Sequence, residues 1–208
     1  MRTSSTLIVV FAKAPKIGGV KTRLSPAIGP KAAARLHLRM LDRVLRTAVS
    51  AGCGPVELHG TPANHAFLQA IARRHGVPLH GQVQGDVGVR MHHAFRRGLR
   101  RHRNMLLVGT DCPVLTVADL RRAAHMLPGR DAVLMPAEDG GYPLIGLSRT
   151  ATSLFHGVAW STSSVMDQTR ERLHALGWRW SELRTVWDVD RPEDLARLKM
   201  ARRLAWRL

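Results

Sequence analysis

The stretch Thr6-Leu-Ile-Val-Val-Phe-Ala-Lys-Ala-Pro-Lys-Ile-Gly-Gly-Val-Lys-Thr-Arg-Leu24 sets the reading of the chain. Thr6 to Ala12 is a short, β-branched apolar run, the pattern of a buried strand, and Pro15 and Gly18 stop it. Four cations follow, Lys13, Lys16, Lys21 and Arg23, with two glycines among them. Glycines let backbone amides approach a phosphate, and the cations supply charge. Lys21-Thr22 suggests a P-loop, but Val20 stands where that motif needs Gly. A helix starting at Lys21 would also meet Pro26 and Gly29 within two turns. The plain alternative is a solvated basic turn.

Outward from this segment, apolar runs alternate with helical periodicity. Residues 31–51 predict a helix, with Leu36, Met40, Val44 and Ala48 recurring every four residues. Strands are expected at 55–60 and 78–84, and helices at 64–75 and 87–103. Asn104 to Thr110 is the second clear strand. Thr116 to Asp119 has the spacing of a capping box and opens a helix through Leu127. Residues 131–137 and 142–147 predict strands joined by a tight turn at Gly140-Gly141. A helix at 162–176, a mixed segment at 178–189 and a terminal helix from Pro192 complete the pattern. Leu198, Leu204 and Trp206 are expected to dock that last helix. The alternation predicts an α/β domain with a mainly parallel sheet, helices on both faces, and an antiparallel insertion between Met135 and Leu147.

The 208 residues suit a single domain over 1–208. Hydrophobic residues at 45% and charged residues at 23% exclude a disordered chain. No apolar run approaches the roughly 20 residues of a membrane span, and none reads as a signal-peptide core, so a cytoplasmic protein is expected. Cys53 and Cys112 lack the spacing of a zinc site or a disulfide framework and read as small buried residues. The formal net charge is +17, carried by 27 Arg and 5 Lys against 15 acidic residues. Such a field attracts anions. The arginines are dispersed, without the basic block of a nucleic-acid tail.

In α/β sheets ligands sit beyond the carboxyl ends of strands, so four loops hold the candidate chemistry. The first is the cationic loop. The second, Gly109-Thr-Asp-Cys-Pro113, sets Asp111 at a strand end, as a turn-former or as an oxygen ligand for magnesium or manganese. In the third, Pro136 to Tyr142, Glu138 and Asp139 offer a general base, or only a hairpin turn. The fourth, Trp187-Asp-Val-Asp-Arg-Pro-Glu-Asp194, places Asp188 and Asp190 on one side of an extended chain. Asp190 also reads as a helix N-cap, with Glu193 closing the box. Trp160-Ser-Thr-Ser-Ser164 supplies hydroxyls that cap the following helix, whose free amides could bind an anion.

Together these blocks resemble the bacterial family of GT-A-type glycosyltransferase-like proteins, once a domain of unknown function and also called selenodomain-associated transferase 1. Phe11 to Leu24 resembles its FAKxPxxGxVKTRL opening, and Gln84-Gly-Asp-Val-Gly-Val-Arg-Met91 is similar to its QGxxGxRM segment. The later blocks at 109–113, 139–147, 160–162 and 188–195 follow in order. The resemblance implies the nucleotide-diphosphosugar transferase fold, a GT-A-like three-layer α/β/α arrangement with a mainly parallel mixed central sheet. It implies nucleotide binding by Ala12, Lys13, Pro15, Lys21, Arg23 and Thr110. It implies Mg2+ or Mn2+ held by Asp111, Asp190 and Asp188. If the transfer inverts, Asp139 would be the catalytic base; a retaining transfer would have no assigned nucleophile. Gly140, Gly141, Tyr142, Trp160, Ser161 and Thr162 would face the acceptor or transferred group. A complete DxD is absent, because Cys112-Pro113 follows Asp111.

The expected activity is metal-dependent glycosyl transfer from a sugar nucleotide to a small-molecule acceptor. The alternative is nucleotidyl transfer from a nucleoside triphosphate to a phosphorylated small molecule, as in guanylyltransferases. A rival of another class is a non-enzymatic basic nucleic-acid-binding protein, but no aromatic-interleaved basic patch supports specific nucleic-acid binding. The oligomeric state is left open.

Overall fold

The computed structural model describes the backbone of residues 3–205 and the side chains of residues 6–200. Among the described residues the expected alternation is realised in seven strands: β1 (Thr3–Lys13), β2 (Val56–Thr61), β3 (Leu79–Gly81), β4 (His102–Val108), β5 (Ala132–Met135), β6 (Leu144–Leu147) and β7 (Trp180–Glu182). The helices are α1 (Ser25–Ile28), α2 (Pro30–Ala51), α3 (Ala66–His75), α4 (Val87–Gly98), α5 (Val117–Met126), α6 (Val165–Ala175) and α7 (Pro192–Ala205). Trp206 of the expected helix docking lies outside the described residues, as does the side chain of Leu204, while Leu198 is buried.

The strands form one sheet in the order β3-β2-β1-β4-β6-β5-β7. Every pairing is parallel except those of β6, which runs antiparallel to both β4 and β5. The expected antiparallel insertion is therefore this one reversed strand, lodged inside the sheet.

Period-two alternation divides β1 between two cores. Ile8 and Val10 pack with Leu41, Val44 and Leu45 of α2, Leu68 of α3 and Leu120 of α5. Leu7 and Val9 pack on the opposite face with Met91 and Phe95 of α4 and Met166 and Leu173 of α6. The result is the three-layer α/β/α arrangement. A smaller cluster joins Leu24, Leu36 and Met40 to Trp187, Val189 and Leu198, and fastens the fourth loop to the first.

Some boundaries differ from the periodic reading. The helix expected at 87–103 ends at Gly98, where a Cβ would lie 2.5 Å from the Met105 sulfur and 2.9 Å from Leu7 Cδ2. The chain turns there to enter β4, so Leu99 continues the apolar rhythm without continuing the helix. The strand expected at 78–84 shrinks to three residues at the sheet edge, and the 131–137 strand to 132–135. The tight turn expected at Gly140-Gly141 forms within an eight-residue connection from 136 to 143, where Gly140 N–H donates to the Ala137 carbonyl at 3.0 Å and Ala137 N–H to the Gly141 carbonyl at 2.9 Å. The Thr116 capping box forms as read: Asp119 N–H donates to Thr116 Oγ1 at 3.1 Å, and Thr116 N–H donates to Asp119 Oδ2 at 3.0 Å.

Glu57 and His59 lie on the face of β2 opposite Val56 and Leu58, only 6% and 4% exposed. A carboxylate that deep needs partners. His59 Nε2 lies 2.9 Å from one Glu57 oxygen, and Arg101 donates to the other at 2.8 Å. Burial alone would raise the Glu57 pKa, but His59, His80 and Arg101 overcome it and bring it down to about 2, from 4.5. Because the folded value is the lower one, this stabilisation is complete above pH 4.5 and is lost as pH falls from there through about 2. It should amount to roughly 3 kcal/mol. Urea unfolding at a series of pH values should show this acid loss, and the Glu57→Gln protein should show a flatter profile. Equal slopes would assign acid sensitivity elsewhere.

Candidate active site

The loops after β1, β4, β5 and β7 meet at the carboxyl edge of the sheet. Backbone contacts bring the last three together. Val189 N–H donates to the Asp111 carbonyl at 2.9 Å, Glu138 N–H donates to the Val186 carbonyl at 2.9 Å, and Ala137 bridges Val186. Val189 turns its side chain into the core, which leaves Asp188 and Asp190 half-buried on either side of it.

The first loop enters through Lys21. This residue adopts a left-handed conformation, φ 49° and ψ 41°, unusual for a non-glycine residue. Its side chain is only 3% exposed. The ammonium lies 2.7 Å from Asp111 Oδ1 and 3.7 Å from Asp190 Oδ1, and donates a hydrogen bond to the Val189 carbonyl. Arg23 donates to Asp190 Oδ2 at 2.7 Å from the exposed side. Thus Lys21 points into the carboxylates, while Lys13 and Arg23 remain exposed. Ala12, Pro15 and Thr110 are buried and shape the floor. Pro26 fits the short helix α1 because it stands in the first turn, and Gly29 breaks α1 from α2.

Two shielded carboxylate oxygens, Asp111 Oδ1 and Asp188 Oδ1, have no hydrogen-bond donor. Lys21 is close enough to pair electrostatically with Asp111 Oδ1 without hydrogen-bond geometry. Burial pushes the Asp188 carboxyl up to about 7; Asp111, Asp139 and Asp190 push the same way and Lys21 opposes them. Hard carboxylate oxygens clustered in this way, one without a donor and one facing a single ammonium, suit a magnesium or manganese ion. Among the described residues no three His, Cys, Asp or Glu side chains are grouped to hold a metal. A cation would therefore rest on Asp111 and Asp188, with water or ligand oxygens completing its shell. Asp190 Oδ2 pairs with Arg23, while its Oδ1 lies 3.7 Å from the Lys21 ammonium.

Asp139 is exposed, and its Oδ1 accepts from Gly141 N–H at 2.9 Å, leaving Oδ2 outside that turn. Gly140 is held against the approach to α6, where Met166 N–H donates to its carbonyl at 2.8 Å. The Tyr142 ring joins the α4–α6 core. Burial raises its hydroxyl pKa, with a hydrogen bond to Thr169 as the opposing influence, so this hydroxyl is directed to α6. Trp160 lies against Gly88, and its buried Nε1 has no partner. Ser161 is exposed and left-handed at φ 66°. Thr162 Oγ1 donates to the Ala159 carbonyl at 2.7 Å. The hydroxyls do not cap α6 as expected: its N-cap Ser164 makes no capping bond, and the Ser164 Oγ accepts from Gln168 instead.

The expected cap of α7 also differs. Asp194 Oδ2, rather than Glu193, receives the Asp190 and Arg191 amides at 2.8 and 2.7 Å. Asp190 is thereby released to bind Arg23.

Two contributors escaped the sequence reading. His37 Nε2 donates to the Lys13 carbonyl at 2.9 Å and holds the end of β1. Burial lowers its pKa, although the Lys13 carbonyl and Asp111 act in the opposite direction. Its signal was a polar residue on the buried stripe of α2, between Leu36 and Met40. Arg197 grips Glu138 through two hydrogen bonds of 2.6 and 2.9 Å and stacks 4.5 Å over Trp187. That grip removes Glu138 from the reacting groups and holds the third loop against α7.

The sheet order, the reversed strand and the loop cluster define the nucleotide-diphosphosugar transferase fold. A structure from Desulfovibrio desulfuricans G20, described provisionally as a nucleotide-diphospho-sugar transferase, matches with a TM-score of 0.89 at 26% identity, over 98% of this chain and 90% of that one. The manganese complex of Rv0371c from Mycobacterium tuberculosis H37Rv matches at 0.57 and 20% identity, over 94% and 98%. CMP:2-keto-3-deoxy-manno-octonic acid synthetase with CTP matches at 0.62 and 12% identity, over 97% and 99%. The last two share the fold. Residues 44–162 match the family described as "Uncharacterized protein conserved in bacteria", domain of unknown function 2064, and the chain belongs to that family. No curated protein matches it. Among the described residues no helix is long and apolar enough to cross a membrane.

Proposed function

We propose that the protein transfers a glycosyl group from a sugar nucleotide to a small acceptor, with magnesium or manganese at Asp111 and Asp188. One observation carries this reading: two shielded carboxylate oxygens, Asp188 Oδ1 with no donor and Asp111 Oδ1 facing only the Lys21 ammonium, stand beside a cationic loop at the carboxyl edge of the sheet. The description of the Desulfovibrio structure supports the donor class, and the manganese of the mycobacterial structure supports the cation.

A bound cation would neutralise charge developing on the diphosphate leaving group. The exposed Lys13, Lys16 and Arg23 add positive charge where phosphates approach, and need no rearrangement of the sheet to do so. Ala12, Pro15 and Thr110 position that loop. Asp139 is the proposed base. Its Oδ2 takes the proton of an acceptor hydroxyl as the oxygen bonds to the sugar carbon, and the bond from that carbon to the diphosphate breaks. This is an inverting displacement. Gly140, Gly141, Trp160, Ser161 and Thr162 form the acceptor rim, with Tyr142 supporting it from the α6 side.

The test combines thermal unfolding with product analysis, using manganese or magnesium and a panel of nucleoside diphosphates, triphosphates and sugar nucleotides. A ligand at 100 times its Kd stabilises by about 2.7 kcal/mol. A shift that needs metal and one sugar nucleotide, with release of the nucleoside diphosphate, is the expected result. Pyrophosphate released from a triphosphate without glycosyl product would replace glycosyl transfer by nucleotidyl transfer. No shift with any nucleotide would reject both.

A further inference from the structure

We infer that the Lys21 ammonium is the resident counter-cation of the carboxylate site and competes with a divalent metal for the same oxygens. The inference rests on the proposed metal role of Asp111 and Asp188 and describes how that site is regulated.

Lys21 has a side chain only 3% exposed, on a loop whose other cations face solvent. A buried ammonium requires compensation. Here it has Asp111 Oδ1 at 2.7 Å, Asp190 Oδ1 at 3.7 Å and the Val189 carbonyl. All three belong to segments far along the chain, so the fold closes around the ammonium. The left-handed backbone of Lys21 aims it there, and its carbonyl is held by Leu24 N–H at 2.9 Å.

The contested atom is Asp111 Oδ1, which has the ammonium nearby but no hydrogen bond. An ammonium and a metal ion cannot both sit against that oxygen without severe like-charge repulsion. Metal entry must displace the ammonium. The four-carbon stem of lysine permits the movement, and the cationic mouth of the loop offers phosphate oxygens as new partners. Lys21 therefore neutralises the empty carboxylate site, lowers its affinity for metal alone, and becomes available to donor phosphates once metal arrives. A purely structural tie between the first and fourth loops would have none of these consequences for metal affinity.

The test uses the full chain and manganese alone, followed by calorimetry. Lys21→Met keeps the stem and removes the charge; Lys21→Gln is a second neutral variant; Lys21→Arg keeps the charge. Both neutral variants should bind manganese at least about tenfold tighter than wild type, and Lys21→Arg within about threefold of it. Equal or weaker binding by the neutral variants would overturn the inference. Asp111→Asn separates the two levels. If it binds manganese like wild type, the metal reading itself fails. If it loses manganese while the neutral Lys21 variants show no gain, only the competition fails. A measurement on wild type avoids any folding defect of the variants: mass spectrometry after brief treatment with an amine-reactive acylating reagent. Lys21 should be protected without metal and labelled about tenfold faster with manganese, in proportion to its time away from the carboxylates. Unchanged labelling would also overturn the inference.

Discussion

The Asp111→Asn protein should lose metal-dependent turnover by about 100- to 1000-fold while retaining its fold. Asparagine preserves the size of the side chain and removes the charge that a hard cation requires. The effect on stability is the difference of two opposed contributions. Lys21 loses its nearest counter-charge, at 2.7 Å, but keeps the Val189 carbonyl and Asp190. Asp188 simultaneously loses a repelling neighbour. The unfolding midpoint should therefore move little beside the loss of turnover. Steady-state rates across a manganese series, paired with thermal unfolding, check both parts. Full activity in this variant would remove Asp111 from the reaction.

The second large effect is expected from Gly140→Ala. Gly140 has φ 84°, and an added Cβ would lie 1.9 Å from the Ser163 carbonyl oxygen. That neighbour is backbone and cannot rotate away. A left-handed alanine costs about 1 kcal/mol, and overpacking against a fixed neighbour costs a further 1–3 kcal/mol or so. The total of roughly 2–4 kcal/mol predicts a midpoint lowered by about 10 °C. Because Met166 N–H donates to the Gly140 carbonyl, the same clash separates the Asp139 turn from α6. Activity should fall even below the unfolding transition. Differential scanning calorimetry and rates at low temperature separate the two effects. A midpoint within about 2 °C of wild type would show that the turn relaxes without cost.

Much of the fold was legible because burial imposes its own period on the sequence. Thr6 to Ala12 and Asn104 to Thr110 are apolar runs buried on both faces, and they became the adjacent strands β1 and β4. Leu36, Met40, Val44 and Ala48 marked the buried stripe of α2. The break in alternation near Met135 announced β6. Boundaries were less legible where periodicity outlasted the element. Leu99 kept the rhythm of α4, but the helix ends at Gly98, where the chain turns toward β4. The edge strand β3 has one strand partner, so fewer of its residues are held in the ladder.

The site divides in the same way. Clusters of cations, carboxylates and glycines at strand ends could be read from the chain, and so could the family resemblance they carry. The partners of those groups could not. Lys21 and Val189 meet across 168 residues of chain, and Glu138 and Arg197 across 59. The hydrogen bond from His37 to Lys13 requires α2 to pack beneath the end of β1. Asp190 and Asp194 are only four residues apart, yet one pairs with Arg23 and the other receives the amides ahead of α7.

By itself, then, the sequence determined the layers, the reversed strand and the loops at which charge collects, because these follow from local periodicity and from the conformational limits of proline and glycine. Only the tertiary structure decided that Lys21 faces inward, that Asp111 and Asp188 retain unsatisfied oxygens, and that Asp190, Glu138 and the Tyr142 hydroxyl are already engaged. Ionic and hydrogen-bonding choices depend on distances of a few ångströms between segments remote in the chain, and no local pattern encodes such distances.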